Sequence, residues 1–344
     1  MFRSSVLFAL AACAAGFVSA ASDLPVIFIH GVLGNYKDGD NFVANLTAEG
    51  RTAVSLKFCD DSCSIESLVT QVPLAVQAVR DVVSNNSAFD DGYIIVAHSQ
   101  GDAVSRAVIE EMDDHKVKRY ISMAGIQNGI FTGPYEADVS AAAGYGFLTA
   151  LVPEEVFNYT KYAPEDFYGK LQHEFAVFNI ETPEAQYEYS QFSLARWPQF
   201  GSWSTSNIFF PVLNNVNRCL PGDDQCIYDQ HRRKANFLKI EQAHFFASPA
   251  DGVIMPWQSS LFGRYTEVDT LDEIESKFAD LTIVNMMDTL EYTSDTFGLR
   301  TLDKRNGIHL HEVDSIPHVC WVRDSGNCSW ATIYDQYLYP ALKG

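Results

Sequence analysis

The chain has 344 residues, of which 47% are hydrophobic and 20% are charged. This length and composition suffice for a sizeable core in one large domain or two of ordinary size. The 24 basic and 44 acidic side chains give a formal net charge of -20. Such a charge argues against nucleic acid as a partner and weakens any case for docking on anionic lipid.

The first 20 residues have the pattern of a cleavable signal peptide. Arg3 precedes a short apolar stretch over residues 6–18, and Val18-Ser19-Ala20 supplies the small residues that a signal peptidase requires. No later stretch offers about 18 uninterrupted apolar residues, so we expect no stable membrane span. The sequence therefore predicts passage through the secretory pathway.

Cysteines and glycosylation sequons agree with this route. The expected cleavage leaves an even number of cysteines, which in an oxidising compartment suggests disulfides. The simplest connectivity joins sequence neighbours and leaves fourteen other connectivities open: Cys59 with Cys63, Cys219 with Cys226, and Cys320 with Cys328. Because no cysteine or histidine spacing fits a metal site, we expect no metal and no cofactor. Four sequons occur, at Asn45, Asn85, Asn158 and Asn327.

The first part of the chain alternates between strand and helix patterns. An apolar run at residues 24–29 predicts a buried strand, and His30-Gly31-Val32-Leu33-Gly34 predicts a glycine-bearing loop behind it. Further strands are predicted at residues 52–58, 93–98 and 117–123, and helices at 41–49 and 65–83. This alternation predicts a mainly parallel sheet with helices on both faces.

The strand at 93–98 ends at Ser99, and apolar residues recur at helical spacing from Ala103 onward. A nucleophilic serine on such a sharp turn requires small residues two before and two after it, and here these are Ala97 and Gly101. The alternative is that Ser99 only caps a helix. Asp102 brings a carboxyl group into the first helical turn, where we expect a negative charge close to the serine.

The pattern breaks at residue 129. Residues 129–235 are rich in aromatics and lack the regular alternation, which predicts a largely helical insertion over the site whose apolar residues either form its own core or line an acyl groove. A strand at 237–247 precedes Asp251, and a strand at 308–313 precedes His318. The resulting order of serine, acid and histidine is that of an α/β-hydrolase.

Other residues compete for these roles. Asp269, Asp288 and Asp314 are alternative acids. His309 and His311 are alternative bases, but both are predicted to lie on a strand, which disfavours them as replacements for His318. At such a turn we expect the neighbouring His98 to point away from the nucleophile and to be structural.

Several longer strings resemble the palmitoyl-protein thioesterase family, over about residue 24 to the C-terminus, and most closely its lysosomal second-type branch. They are Ile29-His30-Gly31, His98-Ser99-Gln100-Gly101, Arg218-Cys219 through Cys226, the segment 251–260, the segment 297–302 and Pro317-His318-Val319-Cys320-Trp321. The family usually has glycine where this chain has Ala97 and Asp102.

The resemblance implies a single α/β-hydrolase domain over residues 21–344 with a cap insertion at about 129–235. It also implies an acyl thioester as substrate, carried on a lipidated protein or peptide or on coenzyme A, and a lysosomal or extracellular location. We expect Ser99, Asp251 and His318 to form a catalytic triad, with the backbone N–H groups of Val32 and Gln100 as oxyanion donors.

Two other functions remain open from sequence. A secreted lipase or carboxylesterase would use the same triad on oxygen esters. A catalytically silent lipid-binding protein is the alternative from a different class.

Overall fold

The structure is a computed structural model that describes residues 23–142 and 146–343, and the side chains of residues 140–148 are not described. The predicted signal peptide therefore lies outside the described residues. Among these residues, no helix combines the length and apolar character needed to cross a membrane.

The strands form one large sheet and one small ribbon. The strand bounds are β1 (Val26–Ile29), β2 (Ala53–Ser55), β3 (Tyr93–His98), β4 (Val117–Met123), β5 (Gln242–Ala247), β6 (Arg264–Tyr265), β7 (Ile283–Val284) and β8 (Ile308–Glu312). The ribbon pairs β6 with β7.

Helices connect the strands and fill most of the insertion. Their bounds are α1 (Asp40–Ala48), α2 (Leu68–Ser84), α3 (Gln100–Glu111), α4 (Glu136–Ala142), α5 (Gly146–Leu151), α6 (Lys170–Glu181), α7 (Ala185–Glu188), α8 (Ser190–Ser193), α9 (Phe200–Ser206), α10 (Phe210–Leu213), α11 (Asp224–Phe237), α12 (Glu273–Ser276), α13 (Leu290–Thr293), α14 (Leu299–Lys304), α15 (Trp330–Ile333) and α16 (Tyr339–Lys343).

The large sheet has the order β2-β1-β3-β4-β5-β8, and every neighbouring pair is parallel. The chain passes from β1 outward to β2 and then returns across β1 to β3, so the strand order reverses between β1 and β3. Ligands of open α/β sheets bind beyond the carboxyl ends of the strands at such a point. The predicted parallel sheet of an α/β-hydrolase is confirmed.

Alternate residues of the central strands face opposite sides, as the period of a strand requires. Ile27 and Ile95 belong to the core under α2 and α3, whereas Phe28 and Val96 belong to the core under α1 and α15. Because both faces are covered, these strands are apolar throughout rather than alternating.

Most predicted elements are confirmed, with shifted ends. One boundary was wrong: residues 237–241 do not belong to a strand, because Phe237 ends helix α11 and β5 begins only at Gln242. The apolar side chain of Phe237 is buried as a helical residue, and its apolar character alone did not distinguish the two conformations.

The residues between β4 and β5 are attached to the sheet layer through buried arginines. Arg106 on α3 donates to the carbonyl of Leu213 at 2.9 Å and to Oδ1 of Asn214 at 2.8 Å. Arg196 in the insertion pairs with Glu291 at 2.9 Å. Because Arg196 and Glu291 are both buried, removing either would leave the other charge unpaired, at a cost of about 3–5 kcal/mol.

The three local disulfides are present, joining Cys59 with Cys63, Cys219 with Cys226, and Cys320 with Cys328. The sequon asparagines Asn45, Asn85 and Asn327 are exposed, and Asn158 is half-buried. Their glycosylation stays a prediction.

Three histidines stack at the β5–β8 edge. The rings of His244 and His309 lie 4.4 Å apart, and Nδ1 of His244 lies 3.1 Å from Nε2 of His311. Burial, reinforced by these two histidines and by Arg119, lowers the pKa of His244 to about 3. His244 is therefore uncharged in the folded protein under mildly acidic conditions.

We expect acid to destabilise the protein partly through His244. The unfolded chain binds a proton at His244 near pH 6.5 while the folded chain does not, so stability falls as the pH drops below that value, by about 1.4 kcal/mol per pH unit. His244→Gln should remove this contribution to the slope, measured by urea unfolding between pH 7 and pH 5. The exposed His231 provides the control, and equal slopes for wild type and H244Q would contradict the assignment.

Candidate active site

Ser99 lies at the turn from β3 into α3 with φ 59° and ψ -131°. Positive φ is rare for a residue with a side chain and persists only when its surroundings hold it in place. The small residues predicted around it are both required by packing: Ala97 is fully buried, and a Cβ on Gly101 would stand 2.2 Å from the carbonyl oxygen of His30.

The loop after β1 contacts this turn directly. A Cβ on Gly31 would lie 2.8 Å from the Cβ of Ser99, closer than real atoms approach. Gly31 and Gly101 thus allow the two backbones to touch. The glycine in the His30-Gly31 motif is explained by this contact.

Ser99, His318 and Asp251 come together in one hydrogen-bonded chain. Nε2 of His318 lies 2.9 Å from Oγ of Ser99, and Nδ1 lies 2.9 Å from Oδ2 of Asp251. With the proton on Nδ1, His318 donates to the carboxylate and accepts the serine hydroxyl proton through Nε2. This arrangement can remove a proton from Ser99 and hold the resulting imidazolium.

Asp251 is fixed in a tight turn after β5. Its Oδ1 accepts the backbone N–H groups of Val253 at 3.0 Å and Ile254 at 2.7 Å. Its carbonyl oxygen accepts the N–H of His318 at 2.9 Å. The acid and histidine loops are therefore joined by backbone as well as side chain, and the alternative acids are not needed.

The sequence suggested that His98 points away from the nucleophile and is structural. In the structure its ring lies beside His318 and lines the same cavity as Ser99. Its Nε2 lies 2.9 Å from the carbonyl oxygen of His318, and the two rings are 4.6 Å apart. Burial, then the proximity of His318 and Arg323, lowers the pKa of His98 well below its ordinary value. The neutral ring can donate to that carbonyl and so hold the loop that carries His318.

The segment closed by Cys59 and Cys63 supports the predicted oxyanion donors. Ser64, which is buried, accepts the backbone N–H of Leu33 through its Oγ at 2.7 Å. Its carbonyl oxygen accepts Nε2 of Gln100 at 2.7 Å. Ser64 therefore binds the loop that carries Val32 and the side chain of Gln100.

Asp102 is fully buried, and its Oδ1 accepts the hydroxyl of Tyr120 at 2.9 Å. Burial raises the pKa of Asp102 well above its ordinary value, against the hydrogen bonds from Tyr120 and Ser122. Burial thus disfavours the negative charge that the sequence led us to expect beside the nucleophile. The side chain occupies space that Gly125 leaves open, since a Cβ there would lie 2.4 Å from Oδ2.

A cavity of about 330 Å³ opens above Ser99 and His318. Its other lining residues are Gly31, Val32, Leu33, Gly34, Asn35, Asp38, His98, Val253, Val319, Val322 and Arg323. A second, apolar cavity of about 60 Å³ lies under the insertion and is lined by residues such as Phe131, Leu171, Phe175 and Met255. Val32 lines the first cavity and also packs against the apolar cluster to which Leu171 and Met255 of the second cavity belong.

The sequence did not indicate Ser64, Gln71 or the supporting role of His98. Gln71 donates from Nε2 to the carbonyl of Ser64 at 2.9 Å. The sequence could have indicated Ser64 only through its position next to Cys63, because a short disulfide loop can hold the adjacent backbone in a fixed place.

The chain is similar to proteins of one known family. The model of the palmitoyl protein thioesterase family matches residues 25–318. The chain belongs to this family. It is accordingly a palmitoyl-protein thioesterase-like serine hydrolase.

Two relatives match most of this chain at modest sequence identity. Lysosomal thioesterase PPT2-B of Xenopus laevis is 24% identical, with 93% of each chain covered. Lysosomal thioesterase PPT2 of Homo sapiens is 27% identical, covering 94% of this chain and 89% of the human protein. Among solved structures, the monoacylglycerol lipase of Paleococcus ferrophilus aligns with 93% of each chain at 11% identity and a TM-score of 0.43.

We predict that Ser64 positions the oxyanion loop. Ser64→Ala removes the acceptor for the Leu33 N–H, so kcat should fall about tenfold while KM changes little; full loss of one oxyanion donor costs about 10²–10³. Ser67→Ala is the matched control, because its buried hydroxyl donates instead to the carbonyl of Gln186 at 2.6 Å. If S64A keeps kcat within twofold of S67A at equal thermal stability, Ser64 has no positioning role.

Proposed function

We propose that this family member hydrolyses long-chain acyl thioesters through an acyl-enzyme formed on Ser99. The observation that carries the proposal is the hydrogen-bonded chain from Ser99 through His318 to Asp251 at the point where the strand order reverses. A serine, a base and a group that orients the base within hydrogen-bond reach are what covalent catalysis requires.

The reaction proceeds in two halves. Oγ of Ser99 attacks the acyl carbonyl as His318 takes its proton. The carbon–sulfur bond then breaks, and His318 passes this proton to the leaving sulfur, which departs as the thiol. His318 then activates a water that cleaves the acyl-serine, and Asp251 stabilises the imidazolium in both halves. The backbone N–H groups of Val32 and Gln100 are the proposed oxyanion donors; each such donor is worth about 2.7–4 kcal/mol.

The acyl chain is proposed to run from Ser99 past Val32 toward the apolar cavity under the insertion. In this structure that cavity is about 60 Å³, well below the ~300–1,000 Å³ of ordinary ligand pockets. A long chain would therefore enter only as side chains of the insertion move. This assigns part of the insertion's aromatic content to the substrate and the rest to its own core.

The domain organisation and location extend the same proposal. Residues 21–344 form one α/β-hydrolase domain with residues 129–235 as its cap, and residues 1–20 direct it into the secretory pathway. Lysosomal relatives and the three disulfides support a lysosomal or extracellular location. The proposed acyl donors are lipidated proteins or peptides and acyl-coenzyme A.

Ser99→Ala tests the nucleophile. Removing the serine of a triad lowers kcat on the order of a millionfold, so turnover should vanish together with covalent labelling by a fluorophosphonate probe. Ser193→Ala, a buried serine in the insertion, should label like wild type. Labelling that persists in S99A would mean that another residue is the nucleophile, and a wild type that never labels would favour the lipid-binding alternative.

An acyl-length series on matched thioesters and oxygen esters tests the substrate class. We expect kcat/KM to rise with chain length, by up to about fourfold for each fully buried methylene at ~0.8 kcal/mol, and to be higher for the thioester at each length. Leu171→Phe should narrow the apolar cavity and reduce the gain at long lengths only, with thermal unfolding as the stability check. A consistent preference for the oxygen ester would support the lipase or carboxylesterase alternative.

A further inference from the structure

The cavity above Ser99 contains a charged pair that the triad does not use. Nη1 of Arg323 lies 3.1 Å from Oδ1 of Asp38, and both residues line the cavity together with Ser99 and His318. The Arg323 side chain is 63% exposed, whereas that of Asp38 is 20% exposed. The cationic partner is thus the one that solvent or a ligand reaches more readily.

The position of Arg323 in the chain decides which half of the substrate it meets. His318, Val319, Val322 and Arg323 all line the cavity and follow one another in the chain. The imidazole that activates the incoming water must face the place that the leaving group has vacated. Residues just after His318 therefore surround the thiol half, while the acyl half extends past Val32 under the insertion.

The pair is built so that Arg323 can change partner. Asp38 is held by its own loop, because its Oδ2 accepts the backbone N–H of Asn35 at 3.3 Å. An ion pair as exposed as this one is weak, since water screens it and a long side chain loses freedom by holding it. A guanidinium group also matches phosphate and carboxylate oxygens with two parallel hydrogen bonds.

The field of Arg323 reaches the floor of the cavity. After burial and the nearby His318, Arg323 is a further cause that lowers the pKa of His98, the residue before the proposed nucleophile. Arg323 therefore lies close enough to influence charge at this end of the cavity.

We propose that Arg323 forms a subsite for an anionic group on the thiol half of the substrate, a phosphate or a carboxylate, which replaces Asp38 as the partner of its guanidinium. Arg323 then determines specificity, whereas Ser99, His318 and Asp251 perform the chemistry. This inference rests on the proposed thioester hydrolysis and adds the chemical class of the thiol.

The test compares thioesters that share one acyl chain and differ in the charge of the thiol half. Acyl-pantetheine is neutral, acyl-4′-phosphopantetheine carries phosphate, and S-acylated cysteine peptides with glycine or aspartate beside the cysteine compare neutral with carboxylate. All are used below their micellar concentrations. For wild type we expect a higher kcat/KM for the charged member of each pair that fits the subsite, mainly through KM, and a smaller difference at high salt.

Arg323→Gln should lower the charged-to-neutral ratio of kcat/KM about tenfold, Arg323→Lys should restore part of it, and Arg323→Glu should reverse the preference. Arg80→Gln is the matched control, because Arg80 is an exposed arginine paired with Asp114 at 3.0 Å outside this cavity, and its ratio should equal that of wild type.

Each outcome separates the two proposals. A wild type that cleaves neither the neutral nor the charged thioesters contradicts the proposed function itself. Turnover of the neutral thioester with a ratio that R323Q leaves within twofold of wild type overturns the Arg323 subsite and leaves the proposed function intact. If R323Q lowers the charged-to-neutral ratio of kcat/KM only for the phosphate pair, or only for the peptide pair, the result supports the subsite and identifies which anion it accepts.

Discussion

The site depends on one close approach between two backbones. The loop after β1 and the turn at Ser99 touch at Gly31 and Gly101, where no side chain would fit. That contact holds Ser99 at positive φ and places the loop that carries Val32 beside the proposed nucleophile. It is possible only because β1 and β3 are neighbours at the point where the strand order reverses. The site therefore depends on the topology of the parallel sheet, which brings together a loop and a turn that are about 70 residues apart in the chain.

Burial decides which polar groups around the turn carry charge. Asp102 lies in the first turn after Ser99 and would oppose an oxyanion as a carboxylate, but burial raises its pKa well above the ordinary value and so disfavours the charged form. His98 is likewise held neutral and binds the backbone of His318. A buried ion pair lies elsewhere, between Arg196 of the insertion and Glu291. Burial thus disfavours charge on both His98 and Asp102, the titratable neighbours of the proposed nucleophile in its own turn.

The insertion and the histidine loop divide the proposed substrate between them. Apolar side chains line the cavity under the insertion, whereas Arg323 and Asp38 line the cavity above Ser99 and His318. A thioester joins an apolar chain to a polar carrier, so a site of this kind needs two different environments next to one serine. The small volume of the apolar cavity means that the acyl side has to adapt on binding, whereas the thiol side is already open.

The sequence by itself determined the alternation of strands and helices and the order of Ser99, Asp251 and His318, because these depend on local periodicity and residue type. Short spacing favoured the three local disulfides, and the structure selected them from the fifteen possible connectivities. It did not determine the end of α11, since Phe237 is equally apolar in a helix or a strand. Nor did it determine the roles of Ser64, His98 and Asp102. Ser64 and Leu33 are 31 residues apart, and His98 and His318 are 220 residues apart. Only the tertiary structure decided which groups met and which lost their water, and burial, which residue type does not reveal, raises the pKa of Asp102.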